Sequence, residues 1–162
     1  MPTHAEQRYL PYRQKELFEL VAAVERYPEF LPWCTATRIT RRSGEVFDAD
    51  LVVRFKVFQE RFVSKVTLHP HALIDVEYVN GPFRYLNNHW RFIEADDGGC
   101  TIDFYVDFEF RSKVLQKLIG LLFNEAVSRM VGAFETRANQ LYGERREAVG
   151  EAEASRPAAS RA

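Results

Sequence analysis

Residues 101–123 read TIDFYVDFEFRSKVLQKLIGLLF, and within this stretch the apolar spacing changes. Ile102, Phe104, Val106, Phe108 and Phe110 fall on every second position, with Asp103, Tyr105, Asp107 and Glu109 between them. Period two marks a strand with one greasy face and one polar face. Ser112 follows, a residue whose hydroxyl caps helices. Beyond it Leu115, Leu118, Ile119, Leu122, Ala126, Met130, Phe134, Ala138 and Leu141 recur at close to 3.6 residues, the stripe of an amphipathic helix. That helix is expected to end near Tyr142, roughly 45 Å from its start. A sheet with one apolar face needs a cover, and the helix supplies it.

Upstream the two-residue period continues. Ala36 to Arg42 reads as a strand, turned by Ser43-Gly44. Phe47, Ala49, Leu51, Val53 and Phe55 share one face of the next strand; Phe62, Ser64, Val66 and Leu68 share one face of the strand after it. Ile74, Val76 and Tyr78 follow, then Leu86, Asn88, Trp90 and Phe92, and Asp96-Asp97-Gly98-Gly99 turns the chain into the last strand. Short connections make these strands antiparallel. Toward the N-terminus, Leu17, Phe18, Val21 and Val24 place a helix over Tyr12 to Arg26. ERYPEFLPW, bracketed by Pro28 and Pro32, reads as a short helix or turn, and Thr3 to Leu10 as a first strand. The order is strand, two helices, six strands, one long helix: an α+β chain whose curved antiparallel sheet wraps a long C-terminal helix. The domain is expected to span residues 1–143. Residues 144–162, small and charged and without aromatics, read as a disordered tail.

The 162 residues suit one domain with a real core, and 46% are hydrophobic, with 13 phenylalanines. Lys plus Arg number 22 and Asp plus Glu 23. That balance argues against a general nucleic-acid coat and against DNA as a partner. Cys34 and Cys100 form no CxxC pair, and free thiols fit a reducing cytosol. The opening MPTHAEQRYL lacks the apolar run of a signal peptide. Leu118 to Phe123 is too short to span a bilayer, so membrane contact would be peripheral.

Asp48 and Asp50 lie at i, i+2, as do Asp107 and Glu109, and paired carboxylates can do acid–base work. They alternate with the apolar set, so a solvated outer sheet face accounts for them. His69 and His71 have the spacing of a metal pair, but Pro70 separates them and no third ligand is near, so no metal is assigned. Neither GxSxG nor a phosphate-cradling glycine loop is present, and no catalytic residue or cofactor is assigned. Asn88 is the unusual inner residue. A buried amide without a partner costs on the order of 1–3 kcal/mol, so it is bonded either to backbone or to a ligand's polar group. A bulge would transfer that role to Asn87.

The words LPYRQKELFELVAAVERYPEFLPWC, NGPFRYLNNHWRF and DFEFRSKVLQKLI resemble the coenzyme Q-binding START-domain family, which includes the bacterial ribosome association toxin group. The resemblance covers about Thr3 to Tyr142, and GPF followed by Leu86 and W-x-F is its strongest part. It implies a START-like helix-grip fold and a non-enzymatic protein that holds ubiquinone, or a related isoprenoid lipid, in a hydrophobic tunnel. It further implies support of respiration and ubiquinone biosynthesis from the cytoplasm, peripherally at the inner face of a respiratory membrane. With such a ligand, Phe30 and Trp33 of the short helical segment become candidate contacts, as do Val53, Phe55, Phe62, Val66 and Tyr78 of the central strands. Leu86, Asn88, Trp90, Phe92, Phe104 and Phe108 join them from the last two strands, and Leu122 and Met130 from the long helix. The start of that helix mixes basic and apolar residues, as membrane-surface helices do, which makes Lys113, Leu115, Lys117 and Leu118 candidate docking residues. Two other functions stay open: binding to the large ribosomal subunit to block subunit joining, with Arg38, Arg41 and Arg42 as a basic set, and a small-molecule cyclase or dehydratase, which would need an inward acid or base.

Overall fold

The computed structural model describes residues 3–55 and 58–154, and side chains within that range except those of 55–58 and 144–154. Seven strands form one antiparallel sheet: β1 Thr3–Leu10, β2 Cys34–Ser43, β3 Val46–Phe55, β4 Phe58–His69, β5 Leu73–Asn80, β6 Phe83–Glu94 and β7 Cys100–Phe110. Their order across the sheet is β1-β7-β6-β5-β4-β3-β2. From β2 to β7 each strand therefore pairs with the next in sequence, and β1 closes onto β7, with Thr3 opposite Asp107 and Leu10 opposite Cys100. Helix α1, Gln14–Ala22, and a 3-10 segment, Val24–Glu29, join β1 to β2. This is the α+β architecture expected from the periodicity, a curved sheet with a long C-terminal helix, and it is the START-like fold that the resemblance implies.

Helix α2 spans Lys113–Ala154 and so continues past the expected end near Tyr142. The added stretch, rich in Glu, Ala and Arg, consists largely of strong helix formers, and its first proline is Pro157. Side chains of 144–154, and all of residues 155–162, lie outside the described residues. The N-terminus of α2 is capped as expected: Ser112 Oγ accepts from the Leu115 N–H at 3.2 Å.

Two solid regions close the ends of the sheet's inner face. At one end α1 buries Leu17, Phe18, Leu20 and Val21, and Phe18 meets Phe92 edge-on with ring centroids 5.7 Å apart. Tyr142 ties α2 to this end by donating to the Glu16 carbonyl at 3.1 Å. At the other end Phe83 stacks on Phe110 and meets Phe108, which in turn meets Phe123 of α2. The turn into β6 belongs to this end. Gly81 has φ +148°, and a Cβ there would sit 2.5 Å from Phe62 Cβ, so only glycine fits. Pro82 keeps β6 from starting until Phe83, and an irregularity between Phe83 and Tyr85 shifts the register. The shift lies upstream of Leu86, so the inward parity of Leu86, Asn88, Trp90 and Phe92 holds.

A candidate ligand cavity between sheet and helix

Between the two solid ends lies a cavity of about 230 Å³. A water needs roughly 10–15 Å³ on this measure, so the space corresponds to a small organic molecule, not a packing defect. Strands β3 to β7 contribute by alternation: Ala49, Leu51 and Val53 from β3, Phe62, Ser64 and Val66 from β4, Ile74 and Val76 from β5. Strand β6 adds Leu86, Asn88 and Trp90, and β7 adds Phe104 and Val106. The roof is Met130 and Phe134 of α2, and the side wall is Tyr27, Leu31, Pro32 and Trp33 between the 3-10 segment and β2.

Phe134 organises this roof. Its ring lies 4.8 Å from Trp90, 5.4 Å from Tyr27 and 5.2 Å from Phe30, edge-on in each case. The Tyr27 hydroxyl donates to the Val21 carbonyl, and burial pushes its ionisation far above the ordinary tyrosine range. Burial likewise pushes the Cys34 thiol, at the cavity edge, up to about 11.

Asn88 stands in the cavity wall, and its Nδ2 donates to the Tyr105 carbonyl of β7 at 2.8 Å. A carbonyl only accepts, so this bond fixes which way round the amide sits. The backbone alternative for Asn88 is realised, and the side chain still borders the cavity. Ser64 is only 1% exposed, and its Oγ has no hydrogen-bond partner among the described residues. None of the described lining side chains is charged.

The candidate contacts separate into two groups. Trp33, Val53, Phe62, Val66, Leu86, Asn88, Trp90, Phe104 and Met130 border the cavity. The rest do not. Phe30 packs between Tyr27 and Phe134, under the Arg137 guanidinium. Tyr78 accepts the Phe83 N–H at 3.1 Å and braces the β5–β6 turn. Phe92 and Phe108 belong to the two solid ends. Leu122 is half-buried on α2 away from the cavity, and the Phe55 side chain lies outside the described residues. Leu31, Leu51, Ile74, Val76, Val106 and Phe134 line the cavity without having been singled out. All six sit on the apolar stripes already traced or beside them. Their lengthwise position, between the two ends, was the missing information.

Two further expectations are corrected. Leu115 is 7% exposed and packs inward, so it is not a docking residue. The exposed apolar side chains at the start of α2 are Val114 and Leu121, at 70% and 79%, beside exposed Lys113 and Lys117 and half-buried Leu118. Asp50, expected on a solvated face, is 7% exposed. Arg61 of β4 covers it through Nε, 2.8 Å from Oδ1, and through Nη2, with Arg38 of β2 3.6 Å away. This pairing holds the Asp50 carboxyl below its usual range. The histidines stay apart from any such cluster: His71 sits in the β4–β5 turn at φ 68° and meets Phe18 edge-on.

A family model described as polyketide cyclase/dehydrase and lipid transport matches residues 10–135. The chain is 38% identical over 144 residues to the ribosome association toxin RatA of Pseudomonas aeruginosa, covering 88% of this chain and all of the relative. It is 33% identical to the mitochondrial coenzyme Q-binding protein COQ10 homolog B of Xenopus laevis, over 86% of this chain and 59% of that one. Among solved structures, an 18 kDa protein from Caulobacter crescentus superposes with a TM-score of 0.72 at 37% identity, covering 88% and 99% of the two chains. A START superfamily protein from Mycobacterium smegmatis superposes at 0.74 with 17% identity, over 86% and 98%, a likeness of fold.

Proposed function

Because the chain belongs to the polyketide cyclase/dehydrase and lipid transport family, we propose that it is a non-enzymatic binding protein that holds ubiquinone, or a related isoprenoid lipid, in the cavity between sheet and α2. The observation that carries this reading is the cavity wall: mostly aromatic and aliphatic side chains, a few neutral polar groups such as Ser64, Asn88 and the Tyr27 hydroxyl, and no charge among the described residues. Burying an ion there would cost far more than burying a neutral ring and its hydrocarbon tail. Among the described residues the wall offers no carboxylate, imidazole or amine to serve as a general acid or base, which favours binding over a cyclase or dehydratase reaction. The likeness to the Xenopus laevis coenzyme Q-binding protein supports the choice of ligand.

A lipid carrier must reach a bilayer. No helix among the described residues is long and apolar enough to cross one. In this reading the protein docks peripherally through the start of α2, with Val114 and Leu121 entering the surface layer and Lys113 and Lys117 facing anionic headgroups. Native mass spectrometry of the protein as purified is expected to find an isoprenoid quinone bound. A ligand-free preparation that also takes up none from vesicles overturns the reading.

A second reading is association with the large ribosomal subunit. It is favoured by the end-to-end identity with proteins named ribosome association toxin and by exposed Arg38, Arg41 and Arg42 on edge strand β2. Sucrose-gradient ribosome profiles after overexpression test it: accumulation of free subunits at the expense of joined ribosomes supports it, and an unchanged profile removes it.

A further inference from the structure

We infer that Ser64 is a ligand-facing hydrogen-bond donor of the cavity, and that it selects for a neutral head group carrying an acceptor such as a carbonyl oxygen. This rests on the lipid-binding reading above and names a recognition residue within it.

Four buried side-chain atoms lack a hydrogen-bond partner among the described residues: Glu6 Oε2, Thr37 Oγ1, Arg137 Nε and Ser64 Oγ. Glu6 is in an ion pair with Arg8, and Arg137 engages Glu29 through Nη2. Of the four, Ser64 alone borders the cavity. Burying a hydroxyl without a partner is unfavourable, and alanine or valine would satisfy the strand equally well.

The surroundings provide the space. Ser64 pairs directly with Ala49 of β3, so two of the smallest side chains face the cavity together in a wall otherwise built of larger apolar residues. Both are 1% exposed, so a ring edge reaches the hydroxyl by pressing in where the wall's side chains are shortest. Two of the wall's other polar groups are engaged with backbone. The Tyr27 hydroxyl is given to Val21, and one Asn88 amide hydrogen to Tyr105. Because no described lining side chain is charged, the acceptor that Ser64 takes is uncharged, which disfavours carboxylates and phosphates within the cavity.

Ser64 and Asn88 also set a span. Val76 of β5 is opposite both Val66 and Asn88, and Ser64 lies two residues from Val66. Two strand spacings sideways and two residues along place their Cα atoms about 12 Å apart on a flat sheet, and concave curvature brings the side chains closer. A ring with acceptors on opposite edges fits between them, one acceptor toward the Ser64 hydroxyl and one toward the second Asn88 amide hydrogen, each at about 2.9 Å.

The test uses Ser64→Ala and a ubiquinone with a two-isoprene tail as probe. Both tryptophans of the chain, Trp33 and Trp90, line the cavity, so quenching of their fluorescence reads occupancy. Loss of one neutral hydrogen bond is expected to raise the dissociation constant about three- to tenfold, while the empty variant melts at a higher temperature than the wild type, because an unpaired buried hydroxyl is gone. A saturated isoprenoid hydrocarbon without oxygen, measured by thermal shift, is expected to bind both forms alike. Opposite signs for affinity and empty-state stability support the assignment. Equal quinone affinity in the two forms, or a less stable empty variant, overturns it while leaving the lipid-binding reading intact. No quenching of the wild type by the quinone overturns both.

Discussion

Asn88 bridges two strands: from β6 its Nδ2 donates to the Tyr105 carbonyl of β7 at 2.8 Å, while the same side chain borders the cavity. An asparagine in the middle of a strand competes with the backbone for hydrogen bonds. Here the competition is resolved across the sheet, so the residue fastens β6 to β7 and places an amide in an apolar wall.

Asn88→Ala is therefore expected to have two effects. It removes a side-chain hydrogen bond, which lowers the unfolding free energy by about 1 kcal/mol, read by urea titration. It also reduces the thermal stabilisation given by a short-chain quinone. A variant that loses stability but keeps the whole ligand-induced gain assigns Asn88 to the sheet alone.

The solid end and the hollow middle of the sheet respond differently to truncation. Phe18→Ala, cut from the α1 end where the ring is 6% exposed and packed on Phe92 and His71, is expected to cost about 3–5 kcal/mol. Met130→Ala, in the cavity roof, is expected to cost at or below the low end of the roughly 2–5 kcal/mol typical of a packed methionine, since one side of it already faces empty space. Denaturant unfolding of the ligand-free variants checks both. Equal costs mean that the roof is as solid as the end.

These contrasts mark what the sequence could carry. The alternation in β7 and the helical period of α2 locate the sheet and the helix, because each repeats locally over ten or more residues, but the buried face of α2 runs through Phe123, Val127 and Val131, beside the traced stripe, whose Leu141 is exposed. Alternation says which way Phe92, Phe104 and Phe108 point. It is silent on whether the space before them is filled. Phe92 and Phe108 are core because α1 and Phe123 reach them from distant parts of the chain, whereas Phe104, packed against Trp90 and His4, still borders the cavity. Leu115 was misplaced for a related reason: the start of α2 is apolar on more than one face, and only the packed structure distinguishes buried Leu115 from exposed Val114 and Leu121. Asp50 was read as solvated because the two arginines that cover it come from neighbouring strands.

The Asp50–Arg61 pair predicts a pH dependence. The pairing depresses the folded-state value of Asp50, so its contribution is fully present above the unfolded value, about 3.9, and is lost as pH falls through the folded value. Wild type is expected to be more stable than Asp50→Asn at neutral pH, with the difference shrinking on acidification below about pH 4. Thermal melts of both proteins from pH 7 to pH 3 measure this. A constant difference across that range excludes a contribution from the ionised pair.

The membrane-facing surface has its own test. Lys113→Glu with Lys117→Glu is expected to weaken binding to phosphatidylglycerol-containing vesicles, each basic residue contributing about 1 kcal/mol near such a surface. Leu121→Asp is expected to weaken it further at high salt, where the apolar contribution persists. All three side chains are exposed, so far-ultraviolet circular dichroism is expected to stay unchanged. Undiminished vesicle binding at low salt removes this helix start as the docking surface.

The central claim is that the cavity between sheet and helix holds an isoprenoid lipid. The most direct measurement is uptake: incubate the protein with vesicles containing ubiquinone, separate the two by gel filtration, and extract the protein fraction for quantitation. Leu86→Trp, which fills the cavity from β6, serves as the blocked control. The expected result is close to one quinone per wild-type chain and a small fraction of that in a folded Leu86→Trp variant. No quinone in the wild type, or equal amounts in both, contradicts the claim.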